Sequence, residues 1–205
     1  MNLKKFGIER INVVDKVVGP GAWRFKHPKR FRADVHQIYR SLFPLLPGSV
    51  DVNVSKNERY ARYDIDFGVD VIINFVNGQS ATIQEKILST NFSTVTVEYY
   101  QNPAQNEAGD WFNLKCDYYF VGYGPKEGSP VLSRWILLDW NQVRLHSACI
   151  PWRFNSNQKD NARANFAYAQ FVEFPDRCVV ARKLNGHMMR NIPDFKNQGD
   201  LQLPL

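Results

Sequence analysis

Two apolar segments joined by an Asn-Gly pair limit what this chain can fold into. Residues 69–75 are rich in β-branched side chains, and residues 80–88 again place apolar side chains on both alternating faces. The pair Asn77-Gly78 between them is the strongest short-range signal for a tight hairpin turn. Strands that are apolar on both faces are typical of the middle of a covered sheet. The two segments therefore predict a central antiparallel hairpin.

The remaining sequence predicts further strands and two helices around this hairpin. Residues 33–46 carry apolar side chains at helical spacing, and Pro44 and Pro47 close the stretch. Additional strands are expected at 94–100, 112–123 and 131–140, a second helix at 159–173, and an irregular tail over 191–205. This order predicts an α/β or α+β fold in which helices flank a central mixed sheet.

Length and composition predict one ordinary domain over residues 1–205. Hydrophobic residues make up 44% of the 205 residues, which is enough for a sizeable core. No apolar run approaches the roughly 20 residues that cross a bilayer, and the first residues lack the apolar stretch of a secretory signal. Three widely spaced cysteines fit neither a disulfide framework nor a zinc site. We therefore expect a cytoplasmic protein with reduced thiols and no membrane partner.

Positive charge is concentrated in the first 32 residues. The formal net charge of the chain is +6, and residues 1–32 alone contribute nine Lys or Arg against two acidic residues. The densest stretch, residues 23–32, holds five of these cations with three aromatic residues among them, and the cations are Arg24, Lys26, Lys29, Arg30 and Arg32. Cations bind phosphates and aromatic rings can stack on bases, so the segment predicts binding of nucleic acid. The alternative is a solvated basic loop whose aromatic residues anchor it to the core.

The central hairpin carries polar residues where a covered sheet disfavours them. Asp70 precedes the first strand, and Gln84 and Lys86 lie in the middle of the second. With the period of two that strands impose, Gln84 and Lys86 share one face while Glu85 points to the other. Buried carboxylates and ammonium groups are costly unless they are paired, hydrogen-bonded or bound to metal. Because the turn folds the second strand back along the first, we expect Asp70, Gln84 and Lys86 to converge.

This pattern resembles the PD-(D/E)xK nuclease superfamily. That superfamily has an Asp at a strand start, a hairpin, and then an acidic residue two positions before a Lys. Here Asp70 is followed by thirteen residues and then by Gln84-Glu85-Lys86. Val69 occupies the position of the Pro, and Gln84 that of the acidic residue. The resemblance covers residues 33–123 and implies a restriction-endonuclease-like sheet.

The resemblance also implies a metal site and a reaction. Mg²⁺ or Mn²⁺ would bind to oxygen atoms of Asp70, of Gln84 and of the Glu85 backbone carbonyl, and Lys86 would orient the attacking water or stabilise charge on the phosphate. Because Gln84 is neutral, a further carboxylate is expected upstream, with Glu58 preferred over the other two candidates. Those two candidates are Asp64 and Asp66.

The sequence thus predicts a metal-dependent endonuclease acting on DNA, with a homodimer as a possible assembly. The alternative function is a non-catalytic nucleic-acid-binding or assembly protein that uses the basic segment 1–32. A separate alternative for the site residues is that Asp70 caps a strand, and that residues 84–86 make ordinary cross-strand pairs on an exposed sheet face.

Overall fold

Two packed β-sheets and one long helix form the fold. The computed structural model describes residues 28–53, 69–102, 106–156 and 164–191. Within these ranges the strands are β1 Leu45–Asn53, β2 Val71–Phe75, β3 Ser80–Leu88, β4 Thr94–Asn102, β5 Glu107–Ala108, β6 Tyr118–Tyr123, β7 Arg134–Asp139, β8 Arg153–Ser156, β9 Asn165–Gln170, β10 Val179–Leu184 and β11 His187–Arg190. The α-helices of the same ranges are α1 Pro28–Leu42, α2 Asp110–Asn113 and α3 Trp140–Leu145. None of these helices has the length and apolar character to span a bilayer.

The larger sheet is mixed and has seven strands among the described residues. Its order is β1-β2-β3-β6-β7-β10-β11, and β3 and β6 are its parallel pair while the other neighbours are antiparallel. The smaller sheet is antiparallel, in the order β5-β4-β9-β8. The chain is therefore of the mixed α/β class, with a central mixed sheet as predicted.

The predicted hairpin is confirmed. Strands β2 and β3 pair antiparallel with Val71 opposite Ile83 and Asn74 opposite Ser80. Gly78 in the turn has a φ of 80°, a left-handed conformation that glycine adopts without the steric cost of a Cβ. The hairpin lies inside the seven-stranded sheet, between β1 and β6.

Helix α1 covers one face of this sheet and begins earlier than predicted. Phe31, Val35 and Tyr39 are fully buried against Ile83 and other apolar residues of the sheet. The prediction of a helix over 33–46 missed residues 28–32, although Pro28 is well suited to the first helical position. The predicted end of the helix at residue 46 was also wrong, since α1 ends at Leu42 and β1 already begins at Leu45.

The other face is covered by the second sheet and not by the helix predicted at 159–173. The described part of that stretch contains β9, followed by a 3-10 turn at Phe171–Glu173. Ala167 and Ala169 alternate inward and pair with Val97 and Val95 of β4, so the period is two and not 3.6. The cross-strand partner decides between the two patterns here. The helix predicted at 159–173 is therefore wrong for the described part of that stretch, which forms a strand of the second sheet.

Two predicted strands are shorter than expected. The stretch 112–123 contains the end of the short helix α2 and an irregular connection before β6 begins. In that connection the Asp117 carboxylate accepts hydrogen bonds from the N–H and hydroxyl of Thr82, both at 2.9 Å. In the stretch 131–140, strand β7 begins only at Arg134 and ends at Asp139. Trp140 already belongs to helix α3.

Candidate active site

The predicted site lies at the start of β2, where the pairing between β2 and β3 ends. The register of the hairpin starts at Val71 opposite Ile83, whereas β3 extends to Leu88 alongside β6. Asp70 stands immediately before β2, and its backbone N–H donates to the Ile83 carbonyl at 2.9 Å. Among the described strands, Asp70 thus marks a notch in the sheet, next to the part of β3 (residues 84–88) that extends past β2.

The Asp70 carboxylate contacts the Gln84-Glu85-Lys86 segment, with which the sequence predicts it to converge. Its Oδ2 accepts a hydrogen bond of 2.7 Å from the backbone N–H of Glu85. At the end of a ladder such an N–H needs a new acceptor, and the carboxylate supplies a charge-assisted one. The hairpin register therefore brings Asp70 to the Gln84-Glu85-Lys86 segment.

Gln84 and Lys86 lie on the face that the second sheet covers. In the parallel ladder Gln84 is paired with Tyr119 and Lys86 with Val121, both of which belong to the core between the sheets. The Gln84 side-chain oxygen, Oε1, is buried and has no hydrogen-bond partner among the described residues. The Lys86 ammonium donates to the Thr96 carbonyl of β4 at 3.0 Å.

Burial keeps the neighbouring phenol and thiol protonated. Burial first, and then negative charges that include Asp110 and Asp70, raise the pKa of Tyr119 well above its usual value. Its hydroxyl donates to the Thr96 carbonyl at 3.2 Å, beside the Lys86 contact. Burial also raises the pKa of the Cys116 thiol to about 12. Neither group supplies an anionic ligand near neutral pH.

Glu85 points to the opposite face, as its position in the strand predicts. Its carboxylate accepts hydrogen bonds from Arg32 at 2.7 Å and from the Tyr39 hydroxyl at 2.8 Å. Burial, followed by the charge of Glu85 and the hydrogen bond to it, raises the pKa of Tyr39 well above its usual value. Tyr39 therefore remains a neutral donor. Sequence analysis missed this group, although Arg32 and Tyr39 are seven residues apart and so share one helix face.

Two of the predicted metal ligands carry oxygen atoms of the kind that hard divalent cations bind. Asp70 offers a carboxylate, and Gln84 offers a buried amide oxygen that has no hydrogen-bond partner in the described part of the chain. No cluster of three or more His, Cys, Asp or Glu side chains suited to a metal occurs within the described ranges. Among the described residues, the predicted ligand set therefore consists of one carboxylate, one amide and the Glu85 backbone carbonyl. Glu58, like Asp64 and Asp66, lies outside the described residues.

The five cations that the sequence predicts to bind phosphate divide into two groups. Arg24 and Lys26 lie outside the described residues, and Lys29 belongs to the first turn of α1. The Arg30 guanidinium is occupied within the protein, where its contacts are backbone carbonyls of Pro125, Lys126, Gly128 and Ser129. Arg32 is paired with Glu85. These contacts assign Arg30 and Arg32 to the fold, because a guanidinium already bound to protein oxygens is poorly placed to bind phosphate.

Comparison with known proteins finds no matching family model, no matching curated protein and no matching solved structure.

Proposed function

We propose that this protein is a metal-dependent endonuclease that hydrolyses phosphodiester bonds of DNA, with a restriction-endonuclease-like core. The observation that carries the proposal is the notch at β2 and β3. There the Asp70 carboxylate accepts a hydrogen bond from the Glu85 N–H, and the preceding residue, Gln84, has a buried side-chain oxygen without a partner among the described residues. Such an unsatisfied buried oxygen calls for a partner, and a cation is one that the neighbouring carboxylate also favours.

In this proposal each residue has a defined role. Asp70 and Gln84 hold Mg²⁺ or Mn²⁺ through side-chain oxygens, and Glu85 contributes its backbone carbonyl. When bound, the ion would neutralise phosphate oxygens and lower the pKa of the attacking water. Lys86, two residues beyond Gln84 on the same face, orients the water or stabilises charge on the phosphate. To do so, its ammonium exchanges the Thr96 carbonyl for water or substrate.

The direct test is cleavage of supercoiled plasmid by the full chain. We expect nicking that requires Mg²⁺ or Mn²⁺ and stops with a chelator. Lys86→Ala should lower the rate about a hundredfold, because positioned acid–base groups contribute roughly 10²–10⁴. Lys115→Ala, which removes an exposed lysine outside the notch, is the matched control and should cleave normally. Equal cleavage by wild type and Lys86→Ala would indicate a contaminant. Salt-dependent DNA binding without cleavage would instead support the non-catalytic alternative.

A second prediction separates the two groups of cations. Replacing Arg24, Lys26 and Lys29 together by alanine should reduce the slope of log affinity against log salt by about 2–3, because each lost phosphate contact reduces it by about 0.9. Arg30→Ala should leave the slope unchanged, since its guanidinium is bound to backbone carbonyls. Filter binding or fluorescence anisotropy with a DNA duplex at several salt concentrations gives both slopes. An unchanged slope in the triple variant would exclude the basic segment from DNA contact.

A further inference from the structure

Glu85 is held at three points by groups from two different parts of the fold. Its backbone N–H donates to Asp70 at 2.7 Å. Its carboxylate accepts from Arg32 at 2.7 Å and from Tyr39 at 2.8 Å. The Glu85 side chain is only 4% exposed, so the two α1 donors hold it in a largely water-free environment. One residue of β3 thus connects the helix on one face of the sheet to the notch.

Helix α1, which carries both donors, is packed into the core. The residues on its sheet-facing side, which include Val35 between the two donors, are buried in the core. Arg32 and Tyr39 are two helical turns apart and approach the same carboxylate from this side. A side-chain network in which the donors are fixed by packing can restrict the backbone of the residue that it holds.

We propose that Arg32 and Tyr39 are positioning residues for the candidate site: through the Glu85 carboxylate they fix the Glu85 peptide, and with it the Asp70 carboxylate that this peptide binds. The inference rests on the proposed function in one respect, namely that the positioned oxygens serve a divalent ion. Groups that orient metal ligands without touching the metal typically affect affinity or activity by roughly 10–100-fold.

The geometry also explains why the two donors to Glu85 are an Arg and a Tyr. A Glu in the middle of a covered strand would be costly alone, and Arg32 supplies both the compensating charge and a directional donor. The Tyr39 hydroxyl adds a second donor that carries no charge. Ion pairing alone would need one cation anywhere near the carboxylate, whereas two donors on one face hold it in a single orientation.

The experiment uses small substitutions in the full chain, because removing Arg32 outright would take away a cation that is paired with the buried Glu85 carboxylate. Tyr39→Phe deletes only the hydroxyl, and Arg32→Lys keeps the charge but loses the planar fork. Ser41→Ala, which deletes a hydroxyl bonded to the Ile38 carbonyl on the same helix, is the matched control. For each protein we would measure Mn²⁺ affinity by calorimetry, kcat and KM for plasmid, and amide hydrogen exchange of Glu85 by NMR.

We expect Tyr39→Phe and Arg32→Lys to weaken Mn²⁺ binding about tenfold and to lower kcat by a similar factor, with KM for DNA nearly unchanged. The Glu85 amide should exchange faster in both variants, and Ser41→Ala should match wild type in every measurement. In an Asp70→Asn background the two substitutions should no longer change Mn²⁺ affinity, because the group that they position is gone.

The two proposals fail in different ways. If wild type binds Mn²⁺ and cleaves DNA while both variants do the same with unchanged Glu85 exchange, the positioning role is overturned and the nuclease proposal stands. If wild type neither binds Mn²⁺ nor cleaves, the nuclease proposal fails. In that case faster Glu85 exchange in the variants would still support the fixing of this peptide, and unchanged exchange would overturn that as well.

Discussion

Replacing Gln84 by alanine is expected to lower metal-dependent cleavage by about a hundredfold to a thousandfold. The substitution removes a buried side-chain oxygen that has no protein partner in the described structure. If this oxygen is a cation ligand, its loss leaves Asp70 as the only described side-chain ligand. Metal ions stabilise such transition states by several kcal/mol, and each 1.4 kcal/mol lost is about tenfold in rate. Cleavage rates at fixed Mg²⁺ and Mn²⁺ affinity by calorimetry measure both consequences.

The companion variant Gln84→Glu should bind the metal more tightly and cleave at lower Mg²⁺ concentrations. It adds a second carboxylate next to Asp70, which attracts a divalent cation and is unfavourable without one. Gln142→Ala, on helix α3, is the matched control and should behave like wild type. Near-wild-type cleavage by Gln84→Ala would remove Gln84 from the site. Loss of cleavage by Gln84→Glu with metal binding intact would show that the glutamine amide acts as a donor instead.

Replacing Gly124 by alanine is expected to destabilise the protein by about 3 kcal/mol, the upper end for overpacking a core. An added Cβ would overlap the ring of Phe31, a fully buried residue of helix α1. Relief by movement is difficult, because the loop after Gly124 is tied to α1. Asp34 accepts a hydrogen bond from the Leu132 N–H at 2.8 Å, and Arg30 binds carbonyls of the same loop. Urea unfolding of the purified chain measures the change.

A double-mutant cycle identifies the cause of this loss. Phe31→Leu is destabilising by itself, but in its presence Gly124→Ala should cost much less, because the ring that the methyl group overlaps is absent. Ser129→Ala, in the same loop with its carbonyl retained, should unfold at the wild-type urea concentration. Additive effects of the two core substitutions would show that the loop, and not the ring, limits the space at Gly124.

Local patterns determined the hairpin and, through it, much of the candidate site. β-branched residues and an Asn-Gly turn are signals within 20 residues, and the turn sets which residues lie opposite each other. Asp70 therefore meets the segment of Gln84 and Lys86 by register alone. The orientation of Glu85 away from them follows from the period of a strand.

Contacts between distant parts of the chain decided two features that the sequence patterns left open. These are the secondary structure that covers the second face of the large sheet, and the binding partner of Arg32. Ala167 and Ala169 fit a helical pattern as well as a strand pattern, and only pairing with β4 selects the strand. Arg32 looks like one more cation of a basic segment, yet it reaches Glu85, 53 positions away in sequence. Contacts of this kind leave no periodicity in the sequence. Desolvation makes them strong, and whether a charge is desolvated depends on which surfaces pack together once the whole chain has folded.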